Sequence, residues 1–95
     1  MLTVTLTEAR PNTAVPFYTW SYEFITYIQK FNDIRTGNKG QYTVSSDQLS
    51  RTGIETFASQ ADLDTYKTDI TVTSNIDSFN SYNQTNNITV TRTYS

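Results

Sequence analysis

Histidine and cysteine are both missing from this 95-residue chain. Without cysteine there is no disulfide and no thiolate metal site. Without histidine, Ser–His and Cys–His nucleophile pairs, imidazole zinc ligation and imidazole acid–base catalysis are excluded. Charge is scarce as well. Charged residues are 17% of the chain, the net charge is −2, and the seven basic residues (Arg10, Lys30, Arg35, Lys39, Arg51, Lys67, Arg92) are scattered. The basic stripe that tracks a phosphate backbone is therefore absent, which argues against a nucleic-acid partner. No apolar run approaches membrane-spanning length, and Met1 leads straight into a periodic segment rather than a signal peptide. The expectation is a cytoplasmic protein with no membrane partner, no metal and no cofactor.

What is present is polar but ordered. Thr, Ser and Asn exceed a third of the chain, yet thirteen aromatic residues are spread along it, which argues for a packed core rather than disorder. The length suits a single domain over residues 1–95. A chain this short hides only about two-thirds of its unfolded surface, so a second subunit would add stability. Asn83-Gln84-Thr85 and Asn87-Ile88-Thr89 match the glycosylation pattern, as chance allows in so Asn- and Thr-rich a chain.

Periodicity divides the chain into six elements. "MLTVTLTE" alternates, with Leu2, Val4 and Leu6 on one face and Thr3, Thr5 and Thr7 on the other, the period of a half-buried strand. "ARPNTAVPF" is a connection. From a cap at Thr19 or Ser21, the spacing of Trp20, Phe24, Tyr27, Ile28 and Phe31 predicts a helix of about four turns. "TGNKG" stops it, with Gly37 available for a left-handed cap. "KGQYTVSS" and "LSRTGIETFA" read as a hairpin around "SSDQ", with Gly53 marking a bulge or close approach.

Ser59-Gln60-Ala61-Asp62 then has the Ser-x-x-acid pattern of a helix start, and Leu63, Tyr66 and Ile70 follow at helical spacing. The β-branched run "ITVTS" predicts a break. Ser74-Asn75-Ile76-Asp77 repeats the cap chemistry for a second helical piece with Ile76, Phe79 and Tyr82 on its inner face. "ITVTRTYS" closes the chain as a strand, Ile88, Val90 and Tyr94 on one face and Thr89, Thr91 and Thr93 on the other.

The order β-α-β-β-α-β predicts an α+β, ferredoxin-like domain, a four-stranded antiparallel sheet with two helices on one face. The first strand lies between the third and the last, which brings the two Thr-x-Thr-x-Thr segments side by side.

One stretch is more specific. "Glu55-Thr-Phe57-Ala-Ser59-Gln-Ala61-Asp62-Leu63-Asp-Thr-Tyr66" resembles the third strand and second helix of the dimeric α+β-barrel superfamily, which includes antibiotic-biosynthesis monooxygenase-like domains. Their pattern is a glutamate, an aromatic two positions on, a Ser or Asp cap, and a helix opening with Ala and Leu. Many members carry histidine three residues after that leucine, where this chain has Tyr66. The resemblance implies the fold and a homodimer in which two sheets face each other. It assigns no catalytic residue.

Candidate residues follow from these placements. The dimer face would consist of Thr3, Thr5, Thr7, Phe57, Thr89, Thr91 and Thr93. Two twisted Thr-bearing strands are too few for a water-ordering array. The first and third strands lack the aromatic platform of an RNA-recognition sheet. Asp62, Asp64 and Asp69 have no Gly-turned loop for calcium and read as a solvated helix face. Trp20, Glu55 and Tyr66 would line any ligand pocket, with Arg92 near them. The ordinary alternative is that Trp20 packs in the first helix and that Glu55 pairs with Arg51 or Arg92. The leading expectation is a non-catalytic structural or interaction protein. Its competitor is a cofactor-independent monooxygenase-like enzyme or small-ligand-binding domain.

Overall fold

The computed structural model describes residues 1–37 and 42–95. Lys39–Gln41, at the start of the expected second strand, lie outside the described residues. The elements are β1 (Leu2–Ala9), α1 (Tyr22–Tyr27) continued by a 3-10 turn (Ile28–Phe31), β2 (Arg35–Thr36), β3 (Thr43–Val44), β4 (Ser50–Phe57), α2 (Gln60–Lys67), α3 (Ile70–Thr85) and β5 (Thr89–Tyr94). All pairings are antiparallel, and β1 lies between β4 and β5. Strands β2 and β3 both pair with the outer edge of β4, so they are two halves of one interrupted edge strand. This is the ferredoxin-like arrangement.

Alternation sorts the sheet into two chemically distinct faces. Leu2, Val4, Leu6 and Glu8 of β1 stand opposite Phe57, Glu55, Gly53 and Arg51 of β4 on the face that meets the helices. Val4 and Phe57 join Phe24, Phe31, Leu63, Tyr66 and Val72 in the core. The other face carries Thr3, Thr5 and Thr7, Thr52, Ile54 and Thr56, and Thr89, Thr91 and Thr93. None of these enters the core among the described residues. Phe57 therefore does not belong with the threonines. At 1% exposure it is a core residue, because the period-two alternation places it beside Leu2 and not beside Thr3 or Thr56. Gly53 pairs with Leu6 in unbroken register, so the expected bulge is not formed.

The helices differ from expectation in length and in where they start. The first is shorter than four turns. Ser21 caps it by accepting from the Phe24 amide at 3.1 Å, and the final turn tightens to 3-10 geometry before Asn32. Trp20 thus precedes the helix instead of lying on it. Gly37 follows β2 and caps no helix.

Ser59 caps α2, accepting from the Asp62 amide at 3.2 Å, as its sequence pattern predicts. The break after α2 comes earlier than expected, at Thr68–Asp69, and "ITVTS" is helical. Asp69, not Ser74, is the cap. Its Oδ1 accepts from the Val72 amide at 3.0 Å, and its Oδ2 accepts from the Tyr27 hydroxyl at 2.8 Å. The amide contact is the main reason its carboxyl is held below the ordinary Asp value. Burial of Val72 and Phe79 outweighs the weak helix propensity of the β-branched run. Ile70, expected to face inward, is 85% exposed. The end of α3 is a paired cap. Asn87 takes φ 57°, its amide donates to the Gln84 carbonyl and the Ile88 amide donates to the Asn83 carbonyl, which turns Ile88 into the core.

Candidate ligand cavity

A cavity of about 690 Å³ lies between the helices and the sheet. Its floor is Val4, Leu6 and Gly53, and its walls include Trp20, Phe24, Ile28, Ile76 and Phe79. Trp20 stacks with two phenylalanines of that wall. Its ring centroid is 5.1 Å from Phe24 at 28° and 4.9 Å from Phe79 at 18°. Tyr18 closes that stack edge-on, 5.0 Å from Trp20 and 5.5 Å from Phe79.

The three expected pocket residues, Trp20, Glu55 and Tyr66, all line this cavity, and so does Arg92. Glu55 comes from β4, Tyr66 from α2 and Arg92 from β5, while Trp20 stands in the connection before α1. Glu55 pairs with neither Arg51 nor Arg92. Its Oε2 accepts from Arg35 Nε at 2.7 Å. Arg35 reaches it because β2 sets Arg35 opposite Phe57, one residue pair along the same face. The guanidinium also lies 4.8 Å from the centre of the Tyr66 ring. Burial pushes the Tyr66 phenol up to about 12, with the negative charges of Glu55 and Asp69 adding to the rise and Arg35 opposing it. Arg92 stands 5.9 Å over the ring of Phe79.

Gly37 lies against the end of Arg35: a methyl group at residue 37 would stand 2.7 Å from Nη1 and 2.9 Å from Nη2, so the flexible end of that side chain would shift to admit it. Sequence offers Gly37 as a helix cap and Phe79 as an inner-face helix residue, and places neither of them, nor Arg35, at a cavity. Arg35 reads there as the tail of the first helix, and only the early end of that helix turns it into an edge-strand residue facing the cavity.

The expected ion-pair partner of Glu55, Arg51, is committed elsewhere. Its Nε and Nη2 hold the fully buried Glu8 at 2.8 and 3.1 Å, and Nη2 also donates to the Tyr18 carbonyl at 2.7 Å. The guanidinium lies over the rings of Phe17 and Tyr42, 4.8 and 4.1 Å from their centres. This pair ties the connection between β1 and α1 to the sheet.

The chain superposes on the crystal structure of a candidate antibiotic-biosynthesis monooxygenase from Deinococcus radiodurans with a TM-score of 0.52. The superposition covers 100% of this chain and 90% of the other, at 16% identity. The two share a fold. No protein-family model and no curated protein matches the chain in sequence. Among the described residues, no helix is long and apolar enough to cross a membrane, and no group of three or more acidic side chains is placed to hold a metal ion.

Proposed function

We propose that the chain is a small-molecule-binding domain whose site is the cavity between sheet and helices, and that it holds its ligand without transforming it. The cavity itself is the observation behind this reading. Its volume of about 690 Å³ falls within the roughly 300–1,000 Å³ of ligand sites, and its walls are aromatic and aliphatic with a few grouped polar side chains. Binding is favoured over catalysis because the carboxylate at the cavity is engaged by Arg35 and the phenol keeps its proton up to about 12. Neither is a free base near neutral pH. The activity named for the Deinococcus protein is therefore not carried over.

The test is fluorescence titration with N-phenyl-naphthylamine, a neutral flat dye. The protein is expected to bind it saturably with one site per chain. Gly53→Leu, which puts a side chain into the cavity floor, is expected to weaken binding at least about tenfold while keeping the fold. Absence of saturable binding contradicts the reading, as does an unchanged affinity in a folded Gly53→Leu protein.

A homodimer formed through the threonine face is a second reading, favoured by one observation. Ile54 sits at the middle of that face with 51% of its surface exposed. Closed twofold pairing is the commonest way to cover such a face. Light scattering is expected to give twice the chain mass, and Ile54→Lys, which sets like charges against each other across the twofold, is expected to give the monomer. A monomeric unaltered protein contradicts this reading.

A further inference from the structure

We infer that the cavity takes a neutral, mainly apolar molecule bearing a carbonyl oxygen, and that the Tyr66 hydroxyl donates a hydrogen bond to that oxygen. The inference rests on the cavity reading and adds to it the chemical class of the ligand. Among the described residues, the buried ones that line the cavity are Val4, Phe24, Gly53, Tyr66 and Phe79. Tyr66 alone among these has a polar group on its side chain. It is 6% exposed, yet its hydroxyl makes no hydrogen bond with any described residue. The nearby carboxylates are engaged by other donors, Glu55 by Arg35 and Asp69 by the Tyr27 hydroxyl and the Val72 amide. A donor so buried and left without an acceptor costs free energy, which a ligand oxygen would recover.

The packing of the Tyr66 ring holds that donor in place before any ligand arrives. Phe31 meets the ring edge-on at 5.2 Å, Phe57 lies 5.6 Å away, and the Arg35 guanidinium stands 4.8 Å from the ring centre. Burial keeps the phenol protonated up to about 12, so at neutral pH it is a donor and not an anion. The charges at the cavity select against an ionic ligand. Arg35 and Glu55 compensate each other at 2.7 Å, and Arg92 is exposed, where water meets its charge. An ionic ligand would therefore give up its hydration with no free counter-charge at the buried end. A neutral carbonyl gives up less and gains a hydrogen bond from Tyr66.

The experiment uses Prodan, a neutral naphthalene ketone whose emission moves to the red when its carbonyl accepts a hydrogen bond. N-phenyl-naphthylamine, which has no carbonyl, is the control. The unaltered protein is expected to bind Prodan saturably with one site per chain. Tyr66→Phe is expected to weaken Prodan binding about tenfold, the size of one lost hydrogen bond. It is also expected to move the emission of the bound dye to the blue, while the affinity for N-phenyl-naphthylamine stays within about twofold. Gly53→Leu, which fills space without touching the hydroxyl, is expected to weaken both dyes.

Tyr66→Phe keeps the ring and its contacts with Phe31 and Phe57, so the fold is expected to hold, with near-ultraviolet circular dichroism as the check. Unchanged Prodan affinity and emission in Tyr66→Phe overturn the inference and leave the cavity reading standing, as does binding of N-phenyl-naphthylamine without Prodan. Equal weakening of both dyes by Tyr66→Phe leaves Tyr66 a packing role alone and also overturns the inference. Binding of neither dye overturns the cavity reading itself.

Discussion

Arg51→Ala is expected to lose about 3–5 kcal/mol of stability, enough to unfold much of a small domain whose total is about 5–15 kcal/mol. The cause is the group left behind. Glu8 is 0% exposed, and both of its carboxylate oxygens accept from Arg51. Without the guanidinium, the carboxylate is left charged in the protein interior or must take up a proton to stay there. The Tyr18 carbonyl also loses its donor, and the rings of Phe17 and Tyr42 lose the guanidinium that stands over them. Chemical denaturation measures the loss directly.

The paired replacement Glu8→Leu with Arg51→Met separates burial from charge. A buried ion pair exchanged for apolar side chains of similar size is often neutral or stabilising, so the double variant is expected to recover most of what Arg51→Ala loses. A single variant that loses less than about 1 kcal/mol would show that water reaches Glu8, contrary to its burial here.

Phe79→Ala is expected to cost a further class of energy, about 3–5 kcal/mol from lost burial and the space left unfilled. Phe79 is 0% exposed at the middle of α3, faces Trp20 at 4.9 Å and meets Tyr18 edge-on at 5.5 Å. It also supports Arg92 and forms part of the cavity wall. Truncation therefore removes a core contact and one of the two phenylalanine rings stacked on Trp20. Both the denaturation midpoint and the affinity for a flat dye are expected to fall. Phe79→Leu, which keeps most of the volume, is expected to restore stability more fully than dye binding, since an aliphatic side chain fills the core but does not stack on Trp20.

The parts of the structure that sequence reveals are those governed by local periodicity. Leu2, Val4 and Leu6 against Thr3, Thr5 and Thr7 give the two faces of β1, and Val90 against Thr89 and Thr91 gives those of β5. The Ser59 cap and the hairpin between β3 and β4 are equally local. Element order then suffices for the topology.

What sequence does not reveal depends on contacts between distant residues. Asp69 and Ser74 offer the same capping chemistry, and the choice of Asp69 follows from the Tyr27 hydroxyl and the burial of Val72. The Glu8–Arg51 pair joins residues 43 apart in the chain, and it exists only because β1 and β4 are in this register. Trp20, Glu55 and Tyr66 are recognisable as candidates by type and face. Their partner Arg35 is hidden, because apolar spacing up to Phe31 cannot show that the helix tightens and ends there.

The most direct measurement is a crystal structure of the protein grown with N-phenyl-naphthylamine. One ordered dye per chain is expected inside the cavity beside Trp20, with Glu55 still bound to Arg35 because a neutral ligand does not compete for it. A cavity filled by the protein's own side chains, with dye bound only at the outer surface, would contradict it.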